Sequence, residues 1–341
     1  MKTIRKIQWI ALAILILYGC VDIMVKPPDV NHNIEDFEVV WNKVDDFYPF
    51  LKFKRIDWDS IYTVYRHRAE ATKGDDFYFV LRDLLAELKD GHVYYKTPGG
   101  SEVYPFYPSR HFKDRHAYSP FVVRKYFDKE LILTGSGSAE YQILPENIGY
   151  VFLADFHENY LVNEFPGIME YLQNTKGLII DIRQKRGGNP QNVEAVVSRF
   201  ISSPLEWPEF YVAGTLLELT PVQPQGPFTY TNPVVVIING STYSAGELAT
   251  EMLKQVPGIN AIGDTTGGGS GLSTNDSFET RGVFELPSGK TICIPTGYIN
   301  RYDGLPWEWL GVAPDIRIEQ TADDINNGID KQLEYAIDLL N

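Results

Sequence analysis

The sequence predicts an α/β protein with a small helical domain at its N-terminal end, and two patterns predict it. From residue 148 onward short apolar strands alternate with amphipathic helices, as in an α/β fold. Before that, apolar residues recur at helical spacing. Phe37, Val40, Trp41, Val44 and Phe47 make one face, and Phe79 to Leu81, Leu84, Leu85 and Leu88 make another. With 341 residues, 44% of them hydrophobic and 13% aromatic, the chain is long and apolar enough to bury a full core. It lacks the polar repeats of a disordered sequence.

Taken in order, residues 1–19 read as an export leader. Lys2, Arg5 and Lys6 precede an apolar run from Trp9 to Leu17, which is short for a membrane span. The run ends on Leu17-Tyr18-Gly19-Cys20, a small residue before a cysteine, which resembles the bacterial lipobox. Cys20 is therefore the candidate lipidation site, implying a mature protein held to a membrane of the cell envelope by a lipid anchor. Residues 20–32, with Pro27-Pro28, form a tether, and 33–95 form the helical domain. Residues 96–145 are a connecting segment rich in Tyr and Pro, with strand-like pieces at Pro120–Val123 and Leu131–Leu133. The α/β domain spans 146–341. Its expected strands are Ile148–Phe152, Gly177–Ile182 and Val234–Ile238, and its helices run from Pro190 to Ile201, onward from Ser244, and onward from Asp330. Cys293, the only other cysteine, lies in an apolar strand-like run and reads as a core residue.

The net charge is −14, and the leader contributes only positive charges, so the rest of the chain is more acidic still. Nucleic acid is a disfavoured partner. No His-Glu-x-x-His or cysteine cluster exists, and Asp75-Asp76 and Asp323-Asp324 read as caps or turns, so neither a metal nor another cofactor is expected.

Ser244 carries the chemistry. It follows the apolar strand Val234–Ile238 and a small polar turn, at the mouth of a helix whose face is Leu248, Met252 and Val256 and whose end is Pro257-Gly258. A strand-to-helix turn holds a serine hydroxyl clear of the sheet, and the first amides of the helix are free to stabilise an oxyanion. Alone, the pattern is equally that of an N-cap serine. Three other segments add to it: Asp181-Ile182-Arg183 leading to Gly187-Gly188, the loop Gly263-Asp264-Thr265-Thr266-Gly267, and Glu308-Trp309-Leu310-Gly311-Val312-Ala313-Pro314-Asp315-Ile316.

Together these four ordered motifs resemble the carboxy-terminal-processing (tail-specific) and tricorn-type serine peptidases over residues 33–341. The resemblance implies a crotonase-like ββα spiral for the catalytic domain and peptide or protein substrates. Carboxy-terminal-processing members use a lysine base in the loop after the serine, but Gly263 to Gly271 contains none, and Lys254 and Lys290 are misplaced. Tricorn-type members take a histidine from the helical domain, which points to His92 in Leu88-Lys89-Asp90-Gly91-His92. Histidine suits the task because a serine hydroxyl needs a base that titrates near the working pH. The resemblance further implies Glu308 as the group orienting His92, and Ala245 with Gly187 or Gly188 as oxyanion-hole amides. Tricorn protease has a serine immediately before its histidine; here that position is Gly91, and Asp90 is an alternative orienting group. The interval 96–145 is too short for the substrate-capturing PDZ domain of tail-specific proteases. A ligand-binding protein of the same fold, suggested by 21 Tyr, 18 Phe and 6 Trp, and an esterase or acyl transferase using the same serine are the alternative readings.

Overall fold

The computed structural model describes residues 32–184, 187–272 and 282–341. The leader segment, Cys20 and most of the tether lie outside the described residues.

Helices α1 (Asn33–Phe47), α2 (Trp58–Ala71) and α3 (Phe77–Ala86) build the helical part. In α1 Phe37, Val40 and Val44 and in α3 Leu81, Leu84 and Leu85 are fully or almost fully enclosed, as their spacing predicts, whereas Phe79, expected on the same face of α3, is exposed. Between α1 and α2 a single turn, Leu51–Lys54, brings Lys54 inward. The core of this part is completed from far along the chain. A hairpin of Val283–Glu285 and Thr291–Cys293 adds Phe284, Leu286, Ile292 and Ile294, and its second strand pairs with Tyr94–Lys96 in the register Tyr94↔Cys293. Cys293 is buried.

The connecting segment holds a helix the sequence did not announce, α4 (Ser109–Arg115). Pro120–Val123 forms a helical turn rather than the expected strand. Proline at the first helical position is preset for that conformation, and one turn suffices to bury Val122 and Val123.

A seven-stranded sheet then follows chain order from edge to edge. It comprises β1 (Ile132–Leu133), β2 (Ala139–Ile143), β3 (Ile148–Leu153), β4 (Gly177–Asp181), β5 (Val234–Ile238), β6 (Ile259–Gly263) and β7 (Ile316–Arg317). The first two pairings are antiparallel and the rest parallel. β4 and β5 are buried throughout, as parallel strands covered on both faces must be. Alternation divides their side chains. Leu178, Ile180, Val234 and Val236 meet α5 (Tyr160–Leu172), α6 (Pro190–Val197) and α7 (Ala245–Leu253). Ile179, Val235 and Ile237 meet Leu333, Ala336 and Leu340 of α8 (Lys331–Leu340). Both α6 and α7 stop short of the ends expected from sequence. The mixed α/β class with a small helical part is therefore the class read from the sequence.

Candidate active site

The turn between β5 and α7 is tied from three directions. The Asn239 side-chain carbonyl accepts the Ser241 N–H at 3.0 Å, the Thr242 hydroxyl donates to the Ile182 carbonyl at 3.0 Å, and the Gly240 N–H donates to Asp114 of α4 at 2.6 Å. The turn ends on Ser244 at φ 55°, ψ −117°, a conformation rare for any residue but glycine and stable only when its surroundings impose it. Glu247, one turn into α7, is a large part of those surroundings. Its Oε2 accepts the Ser244 and Gly269 N–H groups at 2.9 and 2.8 Å. Its Oε1 accepts the Thr266 hydroxyl at 2.6 Å and the Gly268 N–H at 2.8 Å. Burial pushes the Glu247 carboxyl up to about 7 while these donors pull against it.

Gly187 lies against the serine. A Cβ added there would sit 2.7 Å from the Ser244 Cβ, 3.1 Å from its Oγ and 3.5 Å from the Ala245 nitrogen, and the backbone has φ 116°. Only glycine permits that approach. Among the described residues neither the Gly187 nor the Ala245 amide donates to a backbone carbonyl, and both residues lie beside the one hydroxyl, where an oxyanion hole would need donors. Gly188 serves a different purpose. It bridges to Phe156, and a side chain there would overlap the Phe156 carbonyl.

His92 enters from the helical part, just before the strand Tyr94–Lys96. Its backbone N–H donates to Asp90 Oδ1 at 2.8 Å, and its Nδ1 is 3.7 Å from the same oxygen and 3.4 Å from the Tyr243 hydroxyl. Its Nε2 is buried and, among the described residues, unpaired. Among the described residues no hydrogen bond joins His92 to Ser244 or to Glu308.

Behind the imidazole lies a buried charge cluster. Lys54 Nζ is 2.7 Å from Glu308 Oε1 and 3.4 Å from Asp90 Oδ2. It also donates to the Tyr48 hydroxyl at 2.8 Å and to the Leu88 and Lys89 carbonyls, each at 3.1 Å. The Tyr48 hydroxyl donates to Asp90 at 2.7 Å, and Glu308 Oε2 accepts the Ser270 N–H at 3.0 Å. One cation thus serves two carboxylates. Burial and the Asp90 charge raise the Glu308 carboxyl to about 7 although Lys54 opposes them. Burial acts to raise Asp90 too, but Lys54 and the bonds from His92 outweigh it and hold that carboxyl well below the usual range.

Residues 147–318 match the family model for peptidase family S41, and residues 30–86 match that of the tricorn protease C1 domain. The chain belongs to peptidase family S41. Solved structures share the fold. A protein from Parabacteroides merdae ATCC 43184 is 25% identical with a TM-score of 0.76, the match covering 90% of this chain and 96% of that one. Mature CPAF gives 14% identity and a TM-score of 0.66, with coverage of 91% and 96%. The tricorn protease gives 18% and 0.57 over 91% of this chain and 36% of its own.

In this S41 peptidase the fold gathers Ser244, Ala245 and Gly187 at one point and sets His92 against Tyr243. Glu308 stands behind them with Lys54 and Asp90, and Asp90 is the carboxylate nearest the imidazole. Lys254 and Lys290 are engaged elsewhere, with Asp315 at 3.0 Å and Asp36 at 3.6 Å. Four participants escaped sequence reasoning: Tyr48, Lys54, Tyr243 and Glu247. Glu247 carried a signal, as the acid of the Ser-Ala-x-Glu turn. Lys54 carried none, lying among Lys52, Arg55 and other charges of an ordinary amphipathic stretch. Among the described residues no group of three His, Cys, Asp or Glu is placed to hold a metal, and no helix is long and apolar enough to cross a membrane.

Proposed function

We propose that this S41 peptidase hydrolyses peptide bonds through an acyl-enzyme on Ser244, with His92 as general base. The Ser244 oxygen attacks the scissile carbonyl carbon while its proton passes to Nε2 of His92. The carbonyl oxygen, now an oxyanion, receives the Gly187 and Ala245 N–H groups. Collapse of the tetrahedral intermediate breaks the C–N bond, and the leaving amine takes the proton from Nε2. Water then attacks the acyl ester with the same base. The observation that carries this reading is Ser244 itself, held in a strained conformation at the mouth of a helix with Gly187 packed against it. The bond between serine and base commonly tightens only when substrate is bound.

The reading includes attachment to the cell envelope through a lipid on Cys20, supported by the leader and the sequence Leu17-Tyr18-Gly19-Cys20. Loss of detergent partitioning in Cys20→Ser would bear it out, and normal processing with unchanged partitioning would remove it.

Reaction with a fluorophosphonate followed by peptide mapping tests the chemistry. A single adduct on Ser244, absent from Ser244→Ala and accompanied by cleavage of peptides, is the expected result. An adduct with turnover of esters alone would make the protein an esterase, and no adduct at all would make it a binding protein.

A further inference from the structure

Tyr243 precedes Ser244, yet its side chain contributes nothing to the bonds that tie the turn. Instead it lies across His92, with ring centroids 4.8 Å apart and planes inclined by 31°, and its hydroxyl is 3.4 Å from Nδ1. Glycines make the room. A Cβ on Gly91 would fall 2.7 Å from the Tyr243 hydroxyl, and one on Gly269 would overlap the ring. The backbone of Gly91 is not in the left-handed region, so its conformation does not demand glycine; the phenol is what excludes a side chain there.

We propose that Tyr243 is a positioning residue that fixes the tautomer of His92, its oxygen accepting the hydrogen on Nδ1 so that Nε2 is left as the basic nitrogen. The inference rests on Ser244 and His92 acting as the catalytic pair. Among the described residues Nδ1 has two polar partners, the Tyr243 oxygen and Asp90 Oδ1 at 3.7 Å. An ionised carboxylate only accepts, and Asp90 is kept ionised by Lys54 and by the bonds from His92, so the hydrogen belongs on Nδ1 and the phenol oxygen shares it. Other charged groups facing the pair are Lys54, Glu308 and Glu247, with Tyr48 beyond Asp90. Burial, aided by Glu308, Asp90 and Glu247, pushes the Tyr243 phenol well above its ordinary ionisation range, while the Gly91 amide pulls the other way. The phenol therefore stays neutral and adds no charge beside the imidazole. On the far side of the ring Nε2 is enclosed and has no partner among the described residues, the state of a base whose lone pair is kept for the Ser244 proton.

Tyr243→Phe tests this, because the stacked ring remains and only the hydroxyl goes. Expected are a fall in kcat of about ten- to a hundredfold with KM within about twofold of the parent, and ¹⁵N chemical shifts of neutral His92 that change from one tautomer to a mixture. Gly91→Ser alone should also lower kcat by displacing the phenol. Gly91→Ser combined with Tyr243→Phe should regain at least about tenfold over Tyr243→Phe, since the serine hydroxyl then enters the vacated space. Should Tyr243→Phe not fold, the ¹⁵N shifts of Gly91→Ser read the same displacement with the tyrosine present. Parent-like kcat and ¹⁵N shifts in a folded Tyr243→Phe, or a double variant no better than Tyr243→Phe, would overturn the proposal. The nitrogen shifts do not depend on turnover, so an inactive or unlabelled parent would count against the Ser244 reading and leave the role of Tyr243 to be judged by the spectrum.

Discussion

Lys54, from a single helical turn near the start of the chain, and Glu308, from the segment that closes the α/β part, meet at 2.7 Å with both side chains buried. The pair joins the two parts of the molecule directly behind His92. A buried carboxylate left without its cation is costly, and here two would be left, because Asp90 shares the same ammonium. Lys54→Met should therefore destabilise the protein by about 3–5 kcal/mol, as measured by urea unfolding at pH 8. Adding Glu308→Gln to it should recover part of that loss. A Lys54→Met protein as stable as the parent would mean that the ion pair contributes nothing net.

Glu247 fastens the Ser244 turn to the Thr266–Gly269 loop through four donors. In Glu247→Gln an amide NH₂ would face backbone N–H groups, donor against donor. Expected is a destabilisation of about 2 kcal/mol or more, together with slower fluorophosphonate labelling of Ser244, since the turn loses what imposes its conformation. Labelling at the parent rate would show that Ser244 is held without Glu247.

The adjacent glycines should fail differently. Gly187→Ala places a methyl 2.7 Å from the Ser244 Cβ, so activity should drop by at least about a hundredfold with a modest change in thermal midpoint. Gly188→Ala runs into the Phe156 backbone and should lower the yield of folded protein. Equal effects of the two variants on both readouts would contradict this division of roles.

These cases also show what was legible in the sequence. Ser244, His92, Gly187 and Glu308 could be put forward as candidates because each sits in a local pattern, a strand end, a glycine pair or a motif of the resemblance, which survives as a string of letters. The sheet was legible for the same reason: β5 is an uninterrupted apolar run, and β4 is apolar up to Asp181. What stayed hidden depends on contacts between distant segments. Lys54 is one charged residue among several until the fold carries it inward, and Tyr243 looks like filler until Gly91 arrives opposite. Pro120–Val123 misled because a short apolar run suits a strand and a buried turn equally well.

Protonation supplies a prediction about stability. Glu247 and Glu308 are both raised from 4.5 to about 7, so across that window the folded state holds protons that the unfolded chain has released. Stability should then fall as pH rises from about 5 to 7. Asp114 and Glu251, raised mainly by burial, act in the same direction. The lowered group Asp90 gives its stabilisation below this window and does not mask the slope. Urea titrations at several pH values read it directly. A flat or rising profile between pH 5 and 7 would show that these carboxyls are ionised in the folded state at ordinary pH.

The central claim is that Ser244 and His92 act as one catalytic unit, and the most direct measurement is a double-mutant cycle on peptide cleavage. Ser244→Ala and His92→Ala should each lower kcat by several orders of magnitude, and the double variant should be little worse than either, because partners in one proton transfer are not additive. Glu308→Gln, which leaves both in place, should lose more than about tenfold yet less than His92→Ala. Losses that multiply in the double variant, or a fully active Ser244→Ala, would contradict the account.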